Sequence, residues 1–111
     1  MTEQNENTAV PILEALQSLG LPAAFGFFQA PQEPPYLVYT GAGQDQFRAD
    51  NTIFDKTNLY RVEYYFTKKN EEEEAEIEET LLGAGFLYQK SEDAFIEDEN
   101  VWVIYYDTWR K

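Results

Sequence analysis

The clearest pattern in the chain is an alternation of apolar and mixed residues between Asn58 and Thr67. Every second position there is apolar: Tyr60, Val62, Tyr64 and Phe66. A period of two predicts a strand with one apolar face. A second long strand is predicted from Asn100 to Trp109. Shorter runs of aromatic and β-branched residues predict strands at 24–29, 36–40, 85–90 and 95–97.

A short first helix is predicted after the polar residues 1–8, which we expect to be flexible. Its apolar residues recur at helical spacing, and Gly20 is expected to end it. Asn7 or Thr8 is expected to cap the helix, with Pro11 in the first turn, where proline is tolerated. Because the helix is short, it must gain its stability by packing on other elements.

A second helix is predicted from Glu71 to Leu82. Asn70 is expected to cap its N-terminus, while Gly83 and Gly85 are expected to end it. The Glu residues of the first turn are favoured there by the positive end of the helix dipole. Few residues of this helix are apolar, so we expect most of its circumference to face solvent.

Turn-forming residues predict a small hairpin in the middle of the chain. Gly41 and Gly43 are expected to end the strand at 36–40. Asp50-Asn51 is expected to form the turn between two short arms within 46–55. We expect this hairpin to project from the body of the protein.

The order of these elements predicts an α+β fold, with residues 9–109 in a single domain. The expected architecture is a two-layer sandwich, in which a mixed or antiparallel sheet of about four to six strands carries both helices on one face. A chain of 111 residues, of which 43% are hydrophobic and 16% aromatic, can bury a core of that size.

The composition argues against several kinds of chemistry. The sequence has no Cys and no His, which leaves no disulfide, thiolate or imidazole group for catalysis or metal binding. No apolar run approaches the roughly 20 residues that a membrane span needs, and the first residues do not resemble a signal peptide. We therefore expect a soluble, intracellular protein that is not an enzyme and binds neither a metal nor a cofactor.

Acidic residues outnumber basic ones by 21 to 8, which gives a net charge of −13. The candidate acidic surface lies on the second helix and comprises Glu71, Glu72, Glu74, Glu78 and Glu79. We expect these carboxylates to be solvated, with Glu74 and Glu78 repelling each other one turn apart. A metal-binding or acid–base cluster would instead require their burial. The overall acidity argues against binding a phosphate backbone.

Two tyrosine pairs, Tyr64-Tyr65 and Tyr105-Tyr106, place an aromatic residue on each face of the long strands. One face must form the core. Three uses remain open for the other face: contact with another protein, stacking on a nucleic acid, or incidental exposure. Contact with a protein is favoured because Tyr combines a large contact area with a polar tip, whereas stacking on a nucleic acid needs interleaved basic residues.

Four segments of the chain occur in an order that is typical of one protein family. They are Pro35–Tyr39, Asp45–Asn51, Lys56–Tyr65 and Thr67–Asn70, followed by the Glu-rich helix and two aromatic strands. In this order residues 35–106 resemble the tail terminator (tail completion, head–tail joining) proteins of siphophages and prophages, mainly of Gram-positive hosts.

The resemblance implies a structural virion protein of α+β fold without catalytic residues. It implies a ring, usually a hexamer, at the head-proximal end of the tail, in contact with tail-tube and head-connector proteins. The genome would only pass through the ring, and no membrane is involved. The protein would reside in the host cytoplasm during assembly and then in the virion tail. The projecting hairpin is the candidate subunit interface, comprising Phe47, Arg48, Asp50, Asn51, Ile53 and Phe54.

Two alternative functions remain open at this point. A minor capsid or head-closure protein belongs to the same structural class. A small acidic regulatory protein that mimics DNA would instead bind a basic protein partner as a monomer or dimer.

Overall fold

The computed structural model describes the backbone of residues 11–49 and 52–110 and the side chains of residues 11–43 and 58–110. In chain order the elements are α1 (Ile12–Gln17), β1 (Ala23–Phe25), β2 (Tyr36–Ala49), β3 (Thr52–Phe66), α2 (Glu71–Gly83), β4 (Phe86–Lys90), β5 (Ala94–Ile96) and β6 (Val101–Arg110). The six strands form one mixed sheet that packs against two helices, so the predicted α+β fold is confirmed.

The core lies between the two helices and one face of the sheet. Its fully buried large side chains come from both helices and from alternate positions of four strands: Leu16, Ile77 and Leu81, with Leu37, Val62, Tyr64, Phe86, Ile104 and Tyr106. Burial of each such side chain contributes about 1.5–3 kcal/mol. Because α1 and α2 share this core, both helices cover the same face of the sheet, as the sequence predicts.

The sheet has the strand order β1-β2-β3-β6-β4, and β5 pairs with the remaining part of the β6 edge. Only β1 pairs in parallel, with β2; every other strand pair in the described residues is antiparallel. The longest pairing joins β2 to β3 and runs from Tyr36 opposite Tyr65 to Ala49 opposite Thr52. These two strands therefore form one long hairpin, which begins in the middle of the sheet and extends beyond the strands on either side of it.

The predicted small hairpin is the far end of this long one. Gly41 and Gly43 do not end the strand, because a bulge between them takes up an extra residue and the pairing then continues. Gly43 has a φ of 107°, a conformation that glycine adopts without the strain that a Cβ would cause. The prediction that these glycines end β2 is therefore wrong.

Residues 43–49 and 52–59 form a two-stranded segment that we call the distal ribbon. β1 pairs with β2 only at residues 37–39, and β6 pairs with β3 only at residues 60–66. Within the part of the chain that the structure describes, the strands of the distal ribbon pair only with each other. The predicted turn residues Asp50 and Asn51 lie outside the described residues.

The first helix and the first strand are both shorter than predicted. α1 begins at Ile12, and Pro11 precedes it in an extended conformation instead of occupying its first turn. The candidate caps and the residues expected to be flexible, all within 1–8, lie outside the described residues. β1 ends at Phe25, because Gly26 has a φ of 76° and turns the chain away from the sheet.

The second helix begins at the predicted cap. The Asn70 side chain accepts a hydrogen bond of 3.0 Å from the backbone N–H of Glu73. Gly85, with a φ of 96°, then leads the chain into β4. Neither helix found in residues 11–49 and 52–110 is long and apolar enough to cross a membrane.

Replacing Asn70 with Ala should lower the free energy of unfolding by about 1 kcal/mol, because a backbone N–H of the first turn loses its acceptor. Asn70→Ser keeps an acceptor at the cap and should lie close to the wild type. Urea denaturation of the three proteins measures the difference. Equal stability of the Ala and Ser variants would show that this cap contributes nothing.

Candidate interaction surfaces

The Glu-rich helix α2 does not expose all of its carboxylates. Glu71, Glu72 and Glu79 are exposed, as predicted. Glu74 has only 2% of its surface exposed, and Glu78 is half-buried. The prediction that all five belong to one solvated surface is therefore wrong for Glu74 and incomplete for Glu78.

Two lysines hold the buried carboxylate of Glu74. Lys90 Nζ lies 2.9 Å from its Oε1, and Lys69 Nζ lies 2.8 Å from its Oε2. The contact of Lys69 is an ion pair without hydrogen-bond geometry at Oε2, since Lys69 directs its hydrogen bonds to Asp93. Burial by itself would raise the pKa of Glu74, but the two ammonium groups outweigh burial and lower that pKa.

Lys90 also lies 2.8 Å from Glu78 Oε2 and therefore bridges Glu74 and Glu78. The expected repulsion between these two glutamates is thus replaced by attraction to a shared cation. Burial would lower the pKa of Lys90, but the two carboxylates raise it overall. The ammonium group therefore keeps its charge at neutral pH.

Two tyrosines of the core complete the polar contact between α2 and the sheet. The Tyr64 hydroxyl donates to Glu73 Oε1 at 2.6 Å, and the Tyr106 hydroxyl donates to Glu78 Oε2 at 2.8 Å. Burial, followed by the hydrogen bond to the carboxylate, raises the pKa of both phenols. These hydroxyls remain protonated donors, so the carboxylates on the sheet-facing side of α2 serve to dock the helix.

The acidic surface that remains on α2 consists of exposed glutamates: Glu71, Glu72, Glu76 and Glu79. In the described residues no three Asp or Glu side chains come together in a way that would hold a metal ion. The helical spacing in the sequence separates the exposed glutamates from the buried residues of α2. Glu74, Ile77 and Leu81 recur at helical intervals on the buried side.

Four of the six candidate interface residues lie in the distal ribbon. Phe47 is opposite Asp55, and Arg48 is opposite Ile53. Phe54 falls between these two pairs, where the register shifts by one residue. Their assignment to a subunit interface remains a prediction, and the other two candidates, at positions 50 and 51, lie outside the described residues.

The second face of the sheet, which we call the open face, is not covered by a helix of residues 11–49 and 52–110. It carries the half-buried Tyr65 and Tyr105, whose neighbours Tyr64 and Tyr106 point into the core. Arg61 lies over the Tyr105 ring, 5.0 Å from its centroid.

A cleft of about 400 Å³ lies on the open face at the end of the hairpin opposite the distal ribbon. Tyr36 and Tyr65 stack in it with ring centroids 5.0 Å apart, and Phe28 meets Tyr36 edge-on at 5.4 Å. Residues 26–32 form one wall, and Glu99 lies at the other side. Burial, followed by the charges of Glu99 and Glu63, raises the pKa of Tyr36.

The sequence did not indicate this cleft, because its parts are far apart in the chain. Phe28 follows β1, Tyr36 begins β2, and Glu99 belongs to the turn before β6. The aromatic pair at positions 64 and 65 predicts a second aromatic face, but no local pattern places Phe28 or Glu99 beside it.

Comparison with known proteins adds no assignment. No protein-family model matches the chain, and no curated protein matches its sequence.

Replacing Lys90 with Met should lower the free energy of unfolding by about 1–3 kcal/mol, because the buried carboxylate of Glu74 loses one of its two cations. The expected loss of stability is smaller than for a fully buried pair, since 35% of the Lys90 side chain is exposed. The matched control is Lys68→Met, which changes the net charge equally at an exposed position. Urea denaturation that gives equal losses for both variants would contradict this role of Lys90.

The lowered pKa of Glu74 predicts a dependence of stability on pH. The carboxylate stabilises the fold above its unfolded pKa of about 4.5, and this contribution is lost as the pH falls further, because the folded protein binds the proton less readily. Glu74→Gln should therefore be less stable than the wild type at pH 7 and approach it below pH ~4. Glu76→Gln, on the exposed side of α2, is the control. If the difference in free energy of unfolding between Glu74→Gln and the wild type stays constant from pH 7 to 3, the Glu74 carboxylate does not stabilise the fold in this way.

Proposed function

We propose that this chain is a non-enzymatic structural protein of a phage or prophage, a tail terminator or head–tail joining protein that assembles into a ring. The observation that carries the proposal is the β2–β3 hairpin. Its distal ribbon pairs with no other described strand, while its other end bears an aromatic cleft. The order of segments over residues 35–106 supports the same assignment by resemblance.

The two ends of the hairpin suit head-to-tail assembly. From Tyr36 to Ala49 the strand advances about 40 Å at 3.3 Å per residue, so the ribbon of one copy can reach a neighbour whose cleft faces it. A contact between two different patches is heterologous, and such contacts close into rings when the rotation permits. A two-stranded ribbon is only marginally stable alone in water, so packing against a neighbour would stabilise it.

The charge distribution supports this role for the distal ribbon. Residues 44–57 carry two basic and three acidic side chains, so most of the net charge of −13 lies elsewhere in the chain. Copies that approach through their acidic surfaces repel each other, whereas the nearly neutral ribbon can approach another copy at little electrostatic cost. A ring lined by carboxylates would also let DNA slide through instead of binding its phosphates.

A second function is favoured by one observation, the exposed glutamates of α2. A row of carboxylates on a helix can imitate the charge of DNA and bind a basic nucleic-acid-binding protein. A DNA mimic would act as a monomer or dimer and would not need the distal ribbon.

The oligomeric state tests the proposed function. The purified protein, alone and mixed with tail-tube subunits, should form rings of about six copies, visible by negative-stain electron microscopy and measured in mass by light scattering. A protein that stays monomeric at high concentration, with and without tail-tube subunits, would contradict the proposal. Capture of a basic nucleic-acid-binding protein by that monomer would favour the DNA mimic.

A further inference from the structure

The cleft on the open face has the composition of a site for a basic side chain. Its floor is the stacked pair Tyr36 and Tyr65, with Phe28 beside it and the carboxylate of Glu99 at the rim. Aromatic faces attract Arg and Lys within about 6 Å of the ring centroid. A carboxylate next to them adds a charged partner for the same cation.

The open face already holds one arrangement of this kind within the chain. Arg61 lies over the Tyr105 ring at 5.0 Å, and it donates two hydrogen bonds to Asp107, at 2.8 and 3.3 Å. The cleft offers the same partners, aromatic rings and a carboxylate, to an arginine that comes from outside.

The position of Glu99 is fixed by its backbone. The following residue, Asn100, has a φ of 58°, a left-handed conformation that asparagine tolerates better than most residues. Its N–H donates to the carbonyl of Ile96 at 2.8 Å, which closes the turn before β6. Glu99 is therefore presented beside the aromatic floor by a closed turn.

The distal ribbon carries the basic residues that best match this site. In the described body, Lys69, Lys90 and Arg61 pair with carboxylates, and Arg110 donates to the carbonyl of Ala84. Lys68 is exposed, but its neighbours in the chain, Thr67 and Lys69, are not apolar. The ribbon adds Arg48 and Lys56 to a segment that also contains large apolar residues: Phe47, Ile53 and Phe54. The cation can contact the rings and the carboxylate of the cleft, and apolar residues beside it add contact with the rings.

We propose that the distal ribbon of one copy docks in the cleft of a second copy, with Arg48 against the Tyr36–Tyr65 pair and beside Glu99. This inference rests on the proposed function, since it names the two surfaces through which copies join. In the proposed ring, each copy gives its ribbon to one neighbour and receives a ribbon from the other, since the ribbon and the cleft lie at opposite ends of one hairpin.

Reversing a charge at the cleft distinguishes this specific contact from the effect of the overall net charge. Glu99→Lys places a cation where Arg48 should bind, and self-association should weaken about tenfold. The control, Glu97→Lys, changes the net charge equally at an exposed residue that does not line the cleft. Since it only reduces repulsion, Glu97→Lys should associate as tightly as the wild type or more tightly. Sedimentation velocity over a concentration series measures all three proteins, and circular dichroism checks their fold.

A reciprocal exchange tests the partner residue. Arg48→Glu should weaken self-association as Glu99→Lys does, and the double variant should regain most of the affinity because the two charges are exchanged. If Glu99→Lys fails to fold, Glu99→Gln serves in its place with a smaller loss. Equal association of Glu99→Lys and Glu97→Lys would overturn the docking while leaving a ring-forming protein intact. A wild type that never self-associates would overturn the choice of a second copy as the occupant.

Discussion

The antiparallel pairing of β2 with β3 is the constraint on which the rest of this structure depends. Its register places Leu37 opposite Tyr64 on the helix-covered face. A slip of one residue between these strands would leave Leu37 and Tyr64 on opposite faces and turn the buried side chains of one strand to the open face. The same register stacks Tyr36 on Tyr65 at one end and extends the strands into the distal ribbon at the other. Core, cleft and ribbon are thus consequences of one pairing.

The acidic helix α2 packs on the sheet through polar contacts as well as apolar ones. Few residues of α2 are buried and apolar, and its contact with the sheet includes carboxylates held by lysines and tyrosine hydroxyls. Removing one partner of such a buried pair is costly, because the remaining charge stays desolvated. The outer side of α2 keeps its exposed glutamates, which make the body strongly negative. The inner carboxylates of α2 therefore bind the sheet, while its outer carboxylates repel other negative surfaces.

Local signals in the sequence predicted much of the fold. Asn70 and Gly85 mark the limits of α2, and the alternation along β3 identifies its buried face. Helical spacing places Glu74 on the same side of α2 as Ile77 and Leu81. The sequence could not show which cation pairs with it, because Lys90 lies on a strand that meets the helix only after folding. The glycines at 41 and 43 were misleading for a similar reason, since pairing with β3 overrides their tendency to end a strand. The cleft depends on loops that are distant in the chain and has no local pattern.

We propose that the distal ribbon serves contact between copies and not the stability of the body. Residues 45–57 can be replaced by Asn-Gly, which forms a two-residue turn between Gln44 and its partner Asn58. The decisive measurement is the molecular mass of this variant beside the wild type, with thermal unfolding recorded for both. We expect a folded monomer with a nearly unchanged melting temperature. A variant that assembles like the wild type, or one that unfolds, would contradict it.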